Sequence, residues 1–143
     1  MISIKNLHKS YTDSSAKQTV FENASYEFNS HGVYSVVGSS GSGKTTLLNL
    51  ISGLDVFDKG SIEINGKNLD TLSIEAKSAL RKVDFGFGYQ FHYLLENLTI
   101  HENCIAACHG QDNSHIASIL NKLGIDHIKN KFPSKVGKIS ACF

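Results

Sequence analysis

The chain has 143 residues, 41% hydrophobic and 19% charged, which is the size and apolar content of one folded domain and excludes a disordered tract. Its 14 basic and 13 acidic side chains give a formal charge of +1, with no basic run long enough to track a phosphodiester backbone, so nucleic acid is not an expected partner. No stretch approaches the length of a membrane span, Met1 to His8 lacks the apolar core of a secretion signal, and Cys104, Cys108 and Cys142 form neither an even framework nor a C-x-x-C pair; reduced thiols in a cytoplasmic chain are expected.

Along the chain, Ile2, Ile4 and Leu7 begin an amino-terminal strand, and residues 19–28 supply a second with Val20, Tyr26 and Phe28 facing inward. Val33, Tyr34, Val36 and Val37 read as a buried third strand. It leads into Gly38-Ser-Ser-Gly-Ser-Gly-Lys-Thr-Thr46, which matches the phosphate-loop pattern G-x-x-x-x-G-K-[ST] at every fixed position. A helix over residues 46–52 follows, closed by Gly53.

The chemistry of that loop explains its residues. A triphosphate must exchange water for many donors at close range, and Gly38, Gly41 and Gly43 let the backbone approach. Their backbone N–H groups, with those of Lys44, Thr45 and Thr46, converge on the anion, aided by the positive end of the helix, and Ser39, Ser40 and Ser42 complete the nucleotide-binding loop. Lys44 is expected to reach the β- and γ-phosphates, and the Thr45 hydroxyl to complete the coordination of a Mg²⁺ ion bridging them. A flexible Gly/Ser linker would need neither the Lys-Thr pair nor the apolar helix behind it.

Beyond Gly53, residues 54–60 turn the chain, and Ser61-Ile-Glu-Ile64 alternates as a half-exposed antiparallel strand before the Asn65-Gly66 turn. Ser73 caps a helix over residues 74–82, with Glu75 in the first turn and basic residues toward the end. Residues 83–89 look strand-like, weakened by Gly86 and Gly88. Thr99-Ile-His-Glu102 is a capping box opening a helix that stops at Gly110. Ser114 caps the next, whose Ile116, Ile119, Leu120 and Leu123 form one apolar stripe ended by Gly124. His101, Cys104 and Cys108 share a helical face, but with His109 a quarter-turn away and no paired cysteines, packing is preferred over a zinc site.

Several of these pieces point to one family. The loop from Gly38 to Thr46, Tyr11 within Lys9-Ser-Tyr11, the Ile51-Ser-Gly-Leu-Asp55 exit from the helix, and Phe87-Gly-Tyr-Gln-Phe-His-Tyr-Leu-Leu-Glu-Asn-Leu-Thr-Ile-His-Glu-Asn103 together resemble the ATP-binding subunits of ABC transporters. Within them the chain is most similar to the branch serving lipoprotein release, macrolide export and bacteriocin or peptide export. The resemblance implies an α/β, P-loop nucleotide-binding fold with an antiparallel β subdomain, the start of an α-helical subdomain and an incomplete core sheet. Residues 1–98 would hold the β subdomain, P-loop and Q-loop region, 99–136 the start of the helical subdomain, and 137–143 a divergent tail.

The resemblance also assigns roles. It implies that Tyr11 stacks on adenine, that Gln90 approaches Mg²⁺ and the attacking water, and that Lys44 and Gln90 are the catalytic residues present. It implies ATP and Mg²⁺ as cofactors, a membrane permease and a second ATP-binding subunit as partners, no direct contact with cargo, and a peripheral place on the cytoplasmic face of the membrane. Phe91, Tyr93, Leu94 and Leu95 would either fold into the helical subdomain or receive a helix of the permease. The family's signature stretch, its Asp-Glu strand end and its switch histidine have no counterpart after Pro133-Ser-Lys-Val136. A truncated, poorly soluble chain that is inactive alone is therefore expected, with a non-catalytic nucleotide-binding remnant as the alternative. A P-loop GTPase or kinase is disfavoured, because no Asn-Lys-x-Asp guanine reader is present.

Overall fold

The computed structural model describes residues 1–13, 16–88, 93–108 and 112–135, which fall into two compact units, Met1–Gly86 and the segment from Phe87 onward. Gln90, Phe91, His109, Gly110 and the residues after 135 lie outside the described residues.

The first unit is organised by one long strand. β1 (Ile2–Asp13) pairs antiparallel with β2 (Ala16–Phe28) on one side and β3 (Lys59–Ile64) on the other, and β3 continues into the short β4 (Lys67–Asn68), giving the order β2-β1-β3-β4. The β3–β4 hairpin closes on Asn65 and Gly66, both at positive φ (49° and 81°), the pair of angles a type I′ turn needs to match the twist of its strands. Gly60 has φ +100°, and a Cβ there would lie 2.5 Å from the Asn6 carbonyl oxygen; only glycine lets β3 approach the bulged part of β1.

Two helices cover this sheet. α1 (Lys44–Ile51) and α2 (Ile74–Asp84) contribute Leu50, Ile51 and Leu80 to a core with Ile4 and Leu7 of β1, Ile62 and Ile64 of β3, and Leu69. Leu7, Leu50 and Ile62 are fully buried, each contributing about 1.5 to 3 kcal/mol by the transfer of its side chain from water. Ser73 caps α2 as expected, its hydroxyl accepting from Ala76 N at 3.2 Å.

Four expectations for this unit change. Residues 33–37 join no ladder: the pairings of the described residues all belong to the antiparallel sheet, and Val33 is fully exposed and Val37 85% exposed. Residues 83 and 84 belong to α2, and Phe85 to Gly88 pair with no strand among the described residues. Tyr26 is 57% exposed, whereas Phe21, Ala24 and Phe28 pack on the core. Tyr26 pairs with buried Ile4 and its ring lies 4.7 Å from that of Phe28, so it shares their face but is left uncovered on the edge strand β2. The register shifts between Ile4 and Ser10, with Asn6 and Asn23 at positive φ, break the two-residue alternation only beyond it. Finally, α1 begins two residues earlier than expected, at Lys44.

The second unit is smaller. The capping box forms as read: Glu102 N donates to the Thr99 hydroxyl oxygen at 3.2 Å, and Thr99 N donates to the Glu102 carboxylate at 2.7 Å, opening α3 (Ile100–Ala107). Asn103 fastens the preceding loop to this helix, accepting from Leu95 N and donating to the carbonyls of Leu95, Leu98 and Thr99. α4 (Ile116–Lys122) buries Ile116 and Leu120, which with Ile128 are the buried apolar residues among the described residues of this unit, while Ile119 and Leu123 of the same stripe remain exposed. Its N-cap is His115; the Ser114 hydroxyl donates to Asp112 instead of capping the helix. Cys104 and Cys108 are free, half-buried thiols, and burial pushes the Cys104 thiol above its usual value. No helix among the described residues is long and apolar enough to cross a membrane.

Candidate functional site

The phosphate-loop residues form the entry to α1. Gly43 is the N-cap in the left-handed region (φ 91°, ψ 8°), and no side chain caps the first turn. The first intrahelical bond runs from Leu47 N to Gly43 O at 2.8 Å, so the N–H groups of Lys44, Thr45 and Thr46 have no acceptor within the helix. Gly41 also has positive φ, at 79°, and Ser42 N donates to Ser39 O at 3.3 Å, which curls the loop into a cup.

Lys44 closes that cup. Its Nζ donates to the carbonyl oxygens of Gly38 at 2.8 Å and Ser39 at 2.7 Å, with the Ser42 hydroxyl at 3.4 Å. The ammonium is therefore held within the loop by the loop's own carbonyls. Thr45, at the second position of α1, is exposed. A cationic point charge, a row of backbone N–H groups and a hydroxyl form a donor set suited to a polyphosphate with a metal bound on it.

The sheet brings Tyr11 toward this loop across a wide sequence gap. Tyr11 pairs with Gln18 of β2, and two residues further along β2 the Val20 side chain reaches the point where a Cβ on Gly43 would stand, 2.5 Å from it. Two residues of strand span about 7 Å, so Tyr11 lies within reach of the loop although 27 positions separate it from Gly38. Tyr11 is 43% exposed, as a stacking platform requires. Gln90, the remaining expected site residue, lies outside the described residues. Among the described residues there is no group of three or more His, Cys, Asp or Glu placed to hold a metal, so the donors available near the loop are the hydroxyls of Ser39, Ser40, Ser42, Thr45 and Thr46.

Two residues without an expected role support Tyr11. The Lys9 side chain, 8% exposed, donates from Nζ to Asp55 Oδ1 at 2.9 Å and to Val56 O at 2.7 Å, and it stands 4.4 Å from the centroid of the Tyr11 ring. The Tyr11 hydroxyl donates to Asp55 Oδ2 at 2.6 Å. Only a lysine at an inward-facing β1 position hinted at this in the sequence; its partner lies 46 residues on.

Burial alone would raise the Asp55 pKa, but the hydrogen bonds from Tyr11 and Lys9, helped by Val56 N, outweigh it and hold the carboxyl below its usual value. Asp58 is lowered likewise, by the hydroxyl and backbone N–H of Ser10. A carboxylate whose folded pKa is below its unfolded value of about 4 stabilises the fold in full above that pH, and the contribution is lost as pH falls through the folded value. The thermal midpoint of the chain is therefore expected to fall below about pH 4, and to fall less in Tyr11→Phe, which removes the leading lowering contact of Asp55. Melting curves by circular dichroism between pH 7 and 3 check this, and a midpoint that rises on acidification contradicts it.

Comparison with known proteins places these features. A family model described as ABC transporter matches residues 21–141. The lipoprotein-releasing system ATP-binding protein LolD of Buchnera aphidicola is 35% identical over 137 residues, covering 92% of this chain and 60% of that protein. LolD of Pseudomonas syringae pv. tomato is 34% identical over 142 residues, covering 95% of this chain and 63% of that protein. Among solved structures, a dimeric post-hydrolysis state of the ATP-binding cassette MJ0796 bound to ADP and Pi matches with a TM-score of 0.81 at 26% identity, over 94% of this chain and 62% of that one. A second dimeric structure of MJ0796, a bacterial ABC transporter cassette, matches with a TM-score of 0.83 at 25% identity over the same shares. The chain thus spans 60% to 63% of the length of these relatives. With a phosphate loop at the mouth of α1 and an antiparallel sheet carrying an aromatic residue toward it, the chain belongs to the ABC transporter family, among its ATP-binding subunits.

Proposed function

We propose that the chain binds Mg-ATP on the loop from Gly38 to Thr46 with the adenine on Tyr11, and that the whole protein couples ATP binding and hydrolysis to export through a membrane permease. The observation that carries this reading is the Lys44 ammonium held inside a loop whose helix leaves its first-turn donors free. On binding, Lys44 exchanges its two carbonyl acceptors for phosphate oxygens, and the N–H groups from Gly41 to Thr46 take the remaining anionic oxygens. The Thr45 hydroxyl would be the residue to hold Mg²⁺, which would supply charge neutralisation to the phosphates when bound. Gln90 is the residue to which the family resemblance assigns the orientation of the attacking water.

The 34% to 35% identity to LolD supports the lipoprotein-release branch as the transport class, and the dimeric cassettes support a second ATP-binding subunit as partner. Tyr93, Leu94 and Leu95 are exposed, which supports contact of this segment with the permease and a peripheral place on the cytoplasmic face of the membrane. The residues of this chain include no match to the signature stretch or to the carboxylate that polarises water, so the 143-residue chain alone is expected to retain ATP and release no phosphate above background. A phosphate-release assay run beside equilibrium dialysis tests this: turnover that disappears in Lys44→Ala would show the chain to be an ATPase by itself, and failure to retain ATP would remove the reading altogether.

A further inference from the structure

Tyr11, Lys9 and Asp55 form a closed arrangement. The phenol is fixed to Asp55 Oδ2 (2.6 Å), Lys9 bridges Asp55 Oδ1 (2.9 Å) and Val56 O (2.7 Å), and the same ammonium lies over the Tyr11 ring at 4.4 Å. Asp55 is itself fastened to α1, because Leu54 N and Asp55 N both donate to Asn49 O, at 2.9 and 3.2 Å. The helix that opens with the phosphate loop is thereby linked, at its other end, to the aromatic ring on β1.

We propose that Lys9 and Asp55 are positioning residues that lock the Tyr11 ring as a preset platform for a purine base and tie it to α1, so that base and phosphate subsites hold one fixed spacing. The proposal rests on the reading of Tyr11 as the base platform. A tyrosine free to rotate must lose that freedom when a base stacks on it; one whose hydroxyl is anchored has lost it beforehand, and the cost no longer weakens binding. Lys9 adds a second effect. Its charge on one face of the ring draws π density away from the other, which favours contact with an electron-rich base there. Asp55 in turn keeps the buried ammonium paired, without which Lys9 could not remain beneath the ring.

A plain structural tie between β1 and the loop after α1 would predict something different, and the ligand tells them apart. The full 143-residue chain is titrated with Mg-ATP and with Mg-tripolyphosphate, which has no base. Tyr11→Phe, which keeps the ring, and the paired replacement Lys9→Met/Asp55→Leu, which leaves no stranded charge, are each expected to weaken ATP binding by about three- to tenfold. Tripolyphosphate binding should stay within about twofold of the parent. Combining the three changes should cost no more than the pair, since all act through one ring. Equal weakening for both ligands, or no change for ATP, overturns the proposal. Tyr11→Phe leaves the fold's apolar core untouched, so it decides the matter even if the paired variant folds poorly. Tyr11→Ala separates the two levels: if it leaves the preference for ATP over tripolyphosphate unchanged, the base-platform reading fails; if it removes that preference while Tyr11→Phe and the pair are silent, only the positioning role fails.

Discussion

Lys44→Ala is expected to weaken Mg-ATP binding by about 30- to 100-fold, since charge-assisted bonds to phosphate contribute about 1.5 to 3 kcal/mol each and no other cation on the loop can replace them. Part of the gross gain is offset, because the ammonium gives up the Gly38 and Ser39 carbonyls to reach the phosphates. The fold should survive: the core contacts of α1 come from Leu47, Leu50 and Ile51, beyond Lys44 along the helix. Equilibrium dialysis with labelled ATP, alongside far-UV circular dichroism, measures both quantities. An affinity within threefold of the parent would mean that Lys44 serves only to hold its own loop together.

Gly43→Ala should have an effect of similar size for a geometric reason. The residue sits at φ 91°, a region that costs an L-residue about 1 to 2 kcal/mol, and the new Cβ would stand 2.5 Å from Val20 Cγ1 and 3.2 Å from Phe21 Cζ. Val20 is β-branched and held in β2, so it has no rotamer to retreat into without straining the strand. The loop must move instead, which turns the Lys44 and Thr45 N–H groups away from a common target. We expect at least a 30-fold loss of ATP affinity together with a lowered thermal midpoint, on the order of 2 kcal/mol of strain or more. Adding Val20→Ala removes the collision but not the unfavourable φ, so the double variant should recover only part of the loss. Full recovery would assign the whole effect to packing, and no loss in Gly43→Ala would show that the loop does not need its left-handed turn.

What the sequence made legible was mostly local chemistry. The Thr99–Glu102 capping box, the Ser73 cap, the Asn65-Gly66 turn and the loop around Lys44 each depend on residues within a few positions of one another, and each formed where the side chains called for it. The misreadings concern partners that pattern alone cannot supply. Residues 33–37 have the β-branched content of a buried strand, yet a strand exists only where a neighbour accepts its hydrogen bonds, and none does so among the described residues. Residues 83 and 84 follow their helix because Leu80 anchors α2 in the core, which outweighs the weak strand propensity of the segment. Tyr26 keeps the parity of Phe28 and pairs with buried Ile4, yet it stands on the edge strand β2 where its ring is left largely uncovered, and no two-residue count reports whether a face is covered. The same limit hid the Lys9–Asp55 pair: a buried lysine signals a partner somewhere, but 46 intervening residues conceal which carboxylate it is.

The central claim is that this chain wraps the polyphosphate of ATP with the loop ahead of α1, and calorimetric titration of the folded 143-residue protein with ATP and millimolar Mg²⁺ tests it most directly. The account predicts saturable heat with one site per chain, reduced at least 30-fold in affinity by Lys44→Ala. No heat of association up to millimolar nucleotide, from protein whose circular dichroism shows the helices and sheet in place, would contradict it.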